Sequence, residues 1–224
     1  MATIDVPIDE RTVVGYDGTP VTYYMTPRGK PVWVLAPGLG THVLCWKYLF
    51  EHFAPHYTLL TWDPRGTYKS GIPREAGHDR VEDHAADLDA ICAAEGLQSF
   101  VLGGWSMGVQ ISLEYQHAHP ERVRALVLIN GAYEHVLSTA LGIPGAEKVF
   151  DQALAVATRL DPVIAPVTTR LFRWDGLAPL LVKTQLLAVD NDVFRAVLKG
   201  FSGTSWRTYF PMMRALNRHS CAPY

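Results

Sequence analysis

The chain has 224 residues, is 48% hydrophobic and carries a formal charge of −2, which is enough apolar material for one large domain. This balanced charge argues against a nucleic acid partner, and no apolar run approaches the roughly 18 residues of a membrane span. The three cysteines lack the spacing of a zinc site or a disulfide framework, so we expect no metal and no cofactor. The first residues lack the pattern of a secretory signal, which favours a cytoplasmic protein.

The first 130 residues alternate between strand and helix patterns. Asp17-Gly18 lies between two β-prone runs, 11–16 and 21–25, and predicts a hairpin. Further strands are predicted over 31–36, 57–62, 100–105 and 125–130, and helices over 45–53, 81–95 and 107–119. This alternation is typical of an α/β fold with a mostly parallel sheet that is covered by helices on both faces.

The pattern changes after residue 133, where no convincing strand is found before 220. Helices are predicted over 146–160, 177–189, 192–201 and 204–218. Asp161, just before Pro162, is predicted to stop a helix, and Pro211 to break one or to start another. We therefore divide the chain into a core (1–132), an all-helical cap (133–220) and the start of a further core segment (221–224).

The pentapeptide Gly104-Trp105-Ser106-Met107-Gly108 lies where a predicted strand turns into a predicted helix. In that context Gly-x-Ser-x-Gly forms a tight turn that strains the serine and presents its hydroxyl at the carboxyl edge of the sheet. Such a pentapeptide arises by chance in roughly one chain in twenty of this length. A serine here can also be a simple helix N-cap, so the assignment depends on the rest of the chain.

Three motifs together resemble the α/β-hydrolase superfamily, in particular its lidded esterases and lipases. They are the glycine loop 37–40, Asp63-x-Arg65-Gly66 and the pentapeptide, which follow successive predicted strands. The resemblance implies that Ser106 is the nucleophile and that the backbone N–H groups of Leu39 and Met107 form the oxyanion hole. It also implies that Arg65 ties loops together. The resemblance also implies a small acyl substrate. Three residues are possible pocket residues: His42, Trp105 and His135.

The resemblance also implies a catalytic acid and a histidine after the cap, and neither is found there. We therefore expect this chain to be the N-terminal three quarters of a hydrolase. His78 and His84 are predicted at the surface, and His219 in a structural role. Strand 125–130 is expected to be an exposed sheet edge, which favours self-association or pairing with a complementing segment.

The leading interpretation is a serine hydrolase that cleaves an ester or a related small apolar substrate through an acyl-enzyme. Two alternatives stay open: a cofactor-free haloperoxidase-like or C–C bond hydrolase on the same scaffold, and a truncated, non-catalytic binding module. A serine at the nucleophile position argues against dehalogenase and epoxide-hydrolase chemistry, for which the superfamily uses aspartate.

Overall fold

The computed structural model describes residues 3–134, 136, 147–184 and 192–224. Among them are six strands: β1 (Asp9–Val14), β2 (Pro20–Met25), β3 (Val32–Ala36), β4 (Thr58–Trp62), β5 (Phe100–Trp105) and β6 (Val123–Ile129). The core helices are a 3₁₀ turn (Val43–Trp46), α1 (Lys47–Phe53), α2 (Val81–Glu95) and α3 (Met107–Ala118). The cap helices are α4 (Glu147–Arg159), α5 (Asp161–Arg173), α6 (Leu177–Lys183), α7 (Asp192–Phe201) and α8 (Trp206–Arg218).

The strands form one sheet in the order β1-β2-β4-β3-β5-β6. The hairpin strands β1 and β2 are antiparallel, and β2 is antiparallel to β4. The remaining pairs, β4 with β3, β3 with β5 and β5 with β6, are parallel. Gly104 at the end of β5 pairs with Ala36 at the end of β3, so the loops that follow these strands leave the sheet side by side. The predicted α/β fold class is confirmed.

The first hairpin differs from its prediction because β1 ends at Val14, two residues before the expected end. The Gly15 N–H donates to the Thr19 carbonyl at 2.8 Å, and the Asp17 carboxylate accepts from the Thr19 N–H at 3.0 Å. These bonds, with Gly18 at a φ of 82°, close a turn that includes Tyr16. The predicted strand over 11–16 was therefore wrong at its end.

The core has two apolar layers, one on each face of the sheet, because strand side chains alternate between faces. On one face α2 and α3 pack against β3, β4 and β5, with Leu88, Ile91, Ile111, Tyr115, Val34, Leu60 and Leu102 in the cluster. On the other face α1 and the 3₁₀ turn cover Trp33, Leu35, Trp46, Phe50 and Leu59. The site residues that follow β3 and β5 are thus held by a sheet that is buried on both sides.

The cap contains a helix, α5, that the sequence analysis missed, because Pro162 was interpreted as a stop. Pro162 lies in the first turn of α5, where a missing N–H costs no intrahelical bond. The prediction for Pro211 was also wrong, since α8 continues through it from Trp206 to Arg218. Burial of Trp206, Met212 and Leu216 on one face outweighs the lost bond there. Among the described residues, no helix is both long and apolar enough to cross a membrane.

Strand β6 is the outermost strand of the sheet in the described part of the chain. Its side chains are mostly half-buried or exposed, and Leu128 is 46% exposed. The neighbouring β5 is largely buried. Self-association or pairing with a complementing segment at this edge stays a prediction.

Candidate active site

Ser106 lies at the reversal between β5 and α3, in a backbone conformation that L-residues rarely adopt. Its φ is 55° and its ψ is −115°, and it is the N-cap residue of α3. The Ser106 N–H donates to the Ile129 carbonyl at 3.1 Å, and the Val109 N–H donates to the Ser106 carbonyl at 3.0 Å. These bonds to β6 and α3 hold the strained residue, whose side chain stays partly accessible.

Three glycines make room for this reversal. A Cβ on Gly104 would lie 2.0 Å from the Gly108 carbonyl oxygen, and a Cβ on Gly108 would lie 2.1 Å from the Ala36 carbonyl oxygen. A Cβ on Gly131, which follows β6, would lie 2.4 Å from the Ser106 carbonyl oxygen. Backbone segments therefore cross at these points too closely for any side chain.

The glycine loop 37–40 passes directly beside the serine. A Cβ on Gly38 would lie 3.3 Å from the Ser106 Cβ and 3.1 Å from the Trp105 carbonyl oxygen. The Gly40 carbonyl accepts a hydrogen bond from the Tyr68 hydroxyl at 2.6 Å, which fastens the far end of the loop. Within the described part of the chain, neither the Leu39 N–H nor the Met107 N–H donates to another residue.

His42 follows this loop but is engaged elsewhere. Its Nδ1 accepts from the Leu44 N–H at 3.3 Å, and its ring packs against Tyr68 at 4.7 Å and Tyr24 at 6.2 Å between centroids. Burial, helped by the charge of Lys69, lowers the pKa of His42 to about 4, so the ring is neutral at pH 7. None of these contacts brings His42 to Ser106.

Trp105 packs edge-on against Trp46 at 6.2 Å, in the layer beneath α1. This contact places Trp105 against the core residues of that face. The third possible pocket residue, His135, lies outside the described residues.

A sequence model described as the alpha/beta hydrolase fold matches residues 31–178, which is more than half of the chain. The chain belongs to this hydrolase family. Its sequence is 30% identical over 109 residues to a protein of Azorhizobium caulinodans named "Putative carbamate hydrolase RutD". A protein of Klebsiella pneumoniae with the same name is 34% identical over 103 residues. These matches cover 49% and 46% of this chain but only 40% and 38% of the two relatives.

Solved structures show the same fold over nearly the whole chain. An enol-lactonase from Burkholderia xenovorans has a TM-score of 0.70 and 20% identity, covering 95% of this chain and 75% of that one. An epoxide hydrolase from Bacillus megaterium has a TM-score of 0.70 and 17% identity, covering 96% of this chain and 77% of that one. At this level of sequence identity, these structural similarities establish only that the chain has this fold.

Three further histidines of this hydrolase-family chain lie in the core helices or near them. His84 was predicted at the surface, which is wrong: it is fully buried on α2, and burial followed by the charge of Arg65 lowers its pKa to about 3. Helical periodicity did not predict this burial, because the buried face of α2 includes polar residues outside its apolar stripe. His78 is partly exposed and shares a hydrogen bond with Tyr16. His219 is buried between Glu82 and Glu114. Among the described residues, none of these rings contacts Ser106.

Arg65 ties three parts of the core together, in agreement with its expected structural role. Its guanidinium donates two hydrogen bonds of 2.6 Å to Asp87 on α2 and one of 2.6 Å to Asp17 in the hairpin turn. It also donates to the His78 carbonyl at 3.2 Å and lies 5.3 Å from the centroid of the Tyr16 ring. The side chains of Arg65 and Asp87 are both fully buried.

Asp63, which follows β4, is a buried acid that the sequence analysis named in a motif but gave no role of its own. Its Oδ2 accepts from the Tyr24 hydroxyl at 2.9 Å and from the Lys69 N–H at 3.2 Å. Its Oδ1 has no partner among the described residues. Burial outweighs both hydrogen bonds and raises the pKa of Asp63 from 3.8 to about 7. An aspartate between a buried strand and a proline was the only signal in the sequence.

Asp63→Asn is expected to stabilise the fold more at pH 8 than at pH 5. A raised folded-state pKa means that this group's stabilisation is complete below about pH 4 and is lost as the pH rises through about 7. Asparagine stays neutral and still accepts both hydrogen bonds at one oxygen. The difference in Tm between variant and wild type, measured from pH 5 to pH 8, should therefore increase. The exposed Asp5→Asn is the control, and a flat difference for Asp63→Asn would contradict the expectation.

Aromatic side chains of α7 and α8 lie against the glycine loop. A Cβ on Gly40 would lie 2.6 Å from Phe201 and 3.2 Å from Tyr209, which belong to α7 and α8. Phe201 in turn packs against Tyr68 and Trp206. The loop next to Ser106 is therefore covered by apolar side chains.

Proposed function

We propose that this chain carries the nucleophile and the oxyanion hole of a serine hydrolase that cleaves a small carboxylic ester. The observation that carries the proposal is the strained conformation of Ser106, with a φ of 55°, at the start of α3. The Leu39 and Met107 N–H groups, which donate to no other described residue, support it, because the glycine loop lies against the serine. Strain of this kind is held only where the surrounding structure enforces it, and it marks functional sites.

The proposed reaction proceeds through an acyl-enzyme. A general base removes the Ser106 proton while Oγ forms a bond to the substrate carbonyl carbon, and the carbonyl oxygen becomes an oxyanion. The Leu39 and Met107 N–H groups donate to this oxyanion, and each such donor contributes about 2.7–4 kcal/mol to transition-state stabilisation. The C–O bond to the alcohol then breaks, the alcohol takes the proton, and water releases the acyl group by the same steps.

We propose an apolar acyl group, because Phe201 and Tyr209 lie next to Gly40. A carbamate is the second candidate substrate class. It presents the same carbonyl to the nucleophile, and relatives at 30–34% identity carry that name. A panel of p-nitrophenyl esters of increasing chain length, together with a p-nitrophenyl carbamate, separates the two classes by their kcat/KM values.

The proposal is tested with a fluorophosphonate probe and mass spectrometry of the adduct. We expect one adduct, located on Ser106, and its complete loss in Ser106→Ala. Ser112→Ala, a buried serine on the same helix, is the matched control and should keep the labelling. A folded wild-type sample that takes no label would contradict an activated Ser106 in this chain, as an incomplete triad predicts, and would favour a non-catalytic binding module. If labelling occurs, His42→Asn tests whether that ring supplies the base.

A further inference from the structure

Thr41 carries a buried hydroxyl that has no hydrogen-bond partner among the described residues. Its side chain is 3% exposed, and its Oγ1 makes no hydrogen bond to any described residue. The backbone of Thr41 is fixed, because its N–H donates to the Gly38 carbonyl at 3.0 Å. Buried hydroxyls in proteins are nearly always hydrogen-bonded, so this one needs an explanation.

The position of the Thr41 hydroxyl relative to Ser106 supplies an explanation. A Cβ on Gly38 would lie 2.8 Å from the Thr41 Oγ1 and 3.3 Å from the Ser106 Cβ. The hydroxyl and the Ser106 Cβ are therefore separated by no more than the sum of these distances, about 6.1 Å. The Leu39 amide lies in the same loop, between Gly38 and Thr41.

Other buried hydroxyls without a described partner do not share this position. They belong to Thr19, Ser112 and Thr204. Thr19 lies in the hairpin turn next to Gly15. The Ser112 Oγ lies 2.6 Å from where a Cβ on Gly104 would be, in the closed contact between β5 and α3. Compared with Thr19 and Ser112, Thr41 is the residue whose hydroxyl lies beside the glycine loop next to Ser106.

We infer that the Thr41 hydroxyl is a third oxyanion donor, which hydrogen-bonds the substrate carbonyl oxygen as it gains negative charge. The inference rests on the proposed function and adds a catalytic residue to it. Because the Thr41 hydroxyl has no hydrogen bond to a described residue, no such bond has to break when the substrate binds. It also favours substrates with a carbonyl or phosphonyl oxygen at this point, because an apolar group there would leave the hydroxyl buried and unpaired.

Thr41→Val removes the hydroxyl and keeps the shape, and Thr41→Ser keeps the hydroxyl. We expect the valine variant to label with the fluorophosphonate about 100-fold more slowly, mainly in the chemical step. The serine variant should stay within about threefold of wild type, and so should the matched control Thr19→Val. Thr41→Val should melt no lower than wild type, because it loses a hydroxyl that has no partner in the fold.

A second probe is independent of nucleophilic attack. Hexanoate, a carboxylate with an apolar chain, is titrated while the amide resonances of Leu39 and Met107 are followed by NMR. We expect about tenfold weaker binding to Thr41→Val than to wild type, with Thr41→Ser close to wild type.

The outcomes separate the two proposals. If wild type labels and Thr41→Val labels within threefold of it, the Thr41 inference is wrong and the serine hydrolase proposal stands. If folded wild type takes no label but hexanoate binding depends on the Thr41 hydroxyl, the nucleophile proposal fails while Thr41 remains an anion donor. If wild type neither labels nor binds hexanoate, both are overturned.

Discussion

Replacing Arg65 with methionine is expected to lower the free energy of unfolding by about 3–5 kcal/mol, the usual cost of removing one partner of a buried ion pair. Arg65 and Asp87 are both fully buried and joined by two hydrogen bonds of 2.6 Å. Burial raises the pKa of Asp87 to about 6 even with Arg65 beside it, so at pH 8 the wild-type carboxylate is charged, and the variant removes the guanidinium that stabilises it. Urea unfolding at pH 8 measures the loss.

Two variants show whether the loss comes from the stranded carboxylate. Arg65→Met combined with Asp87→Leu should recover much of the stability, because an apolar pair of similar volume often replaces a buried ion pair without loss. Arg218→Met breaks an ion pair with Asp151 whose arginine is mostly exposed, and it should cost less than about 1 kcal/mol. A loss for Arg65→Met as small as that for Arg218→Met would show that the buried pair does not hold the hairpin, the loop and α2 together.

Gly108→Ala is expected to be a severely damaging single-methyl change near Ser106. The added Cβ would lie 2.1 Å from the Ala36 carbonyl oxygen, a backbone atom that cannot rotate away. The start of α3 must therefore move away from β3, at a cost of about 3 kcal/mol or more. Because this shift separates Ser106 from the glycine loop, labelling by the fluorophosphonate should fall by about 100-fold.

Gly203→Ala is the matched control for this change, since the nearest atom to its added Cβ is 3.9 Å away. It should leave both the Tm and the labelling rate within error of wild type. Labelling of Gly108→Ala at the wild-type rate would mean that the turn at Ser106 does not depend on the close crossing of α3 and β3.

Local patterns were enough to predict much of the core. Helix α2 and strand β5 have the bounds that the sequence predicted, 81–95 and 100–105, and Gly96 ends α2 at a φ of 62°. Apolar periodicity and glycine's freedom at positive φ act within a few residues, so they are visible in the chain itself. The position of Ser106 between β5 and α3 followed for the same reason.

Prediction failed where prolines and buried polar residues were concerned. Helix α5 was missed because Pro162 indicates a stop locally, although a proline in the first turn costs no hydrogen bond. His84 was placed at the surface because it is polar, yet α2 buries it beside Arg65. Burial of a polar side chain depends on which distant segment covers it, and the local sequence does not contain that information.

Local sequence patterns predicted the succession of strands and core helices, the Gly-x-Ser-x-Gly turn and the family resemblance, because each depends on neighbouring residues. Only the tertiary structure decided that Arg65 pairs with Asp87, that Trp105 packs on Trp46, and that the Thr41 hydroxyl lies close to Ser106. The last of these follows from the register of β3 against β5, which sets the two loops side by side. Such contacts join residues 22 to 65 positions apart, and the packing of the whole sheet fixes them.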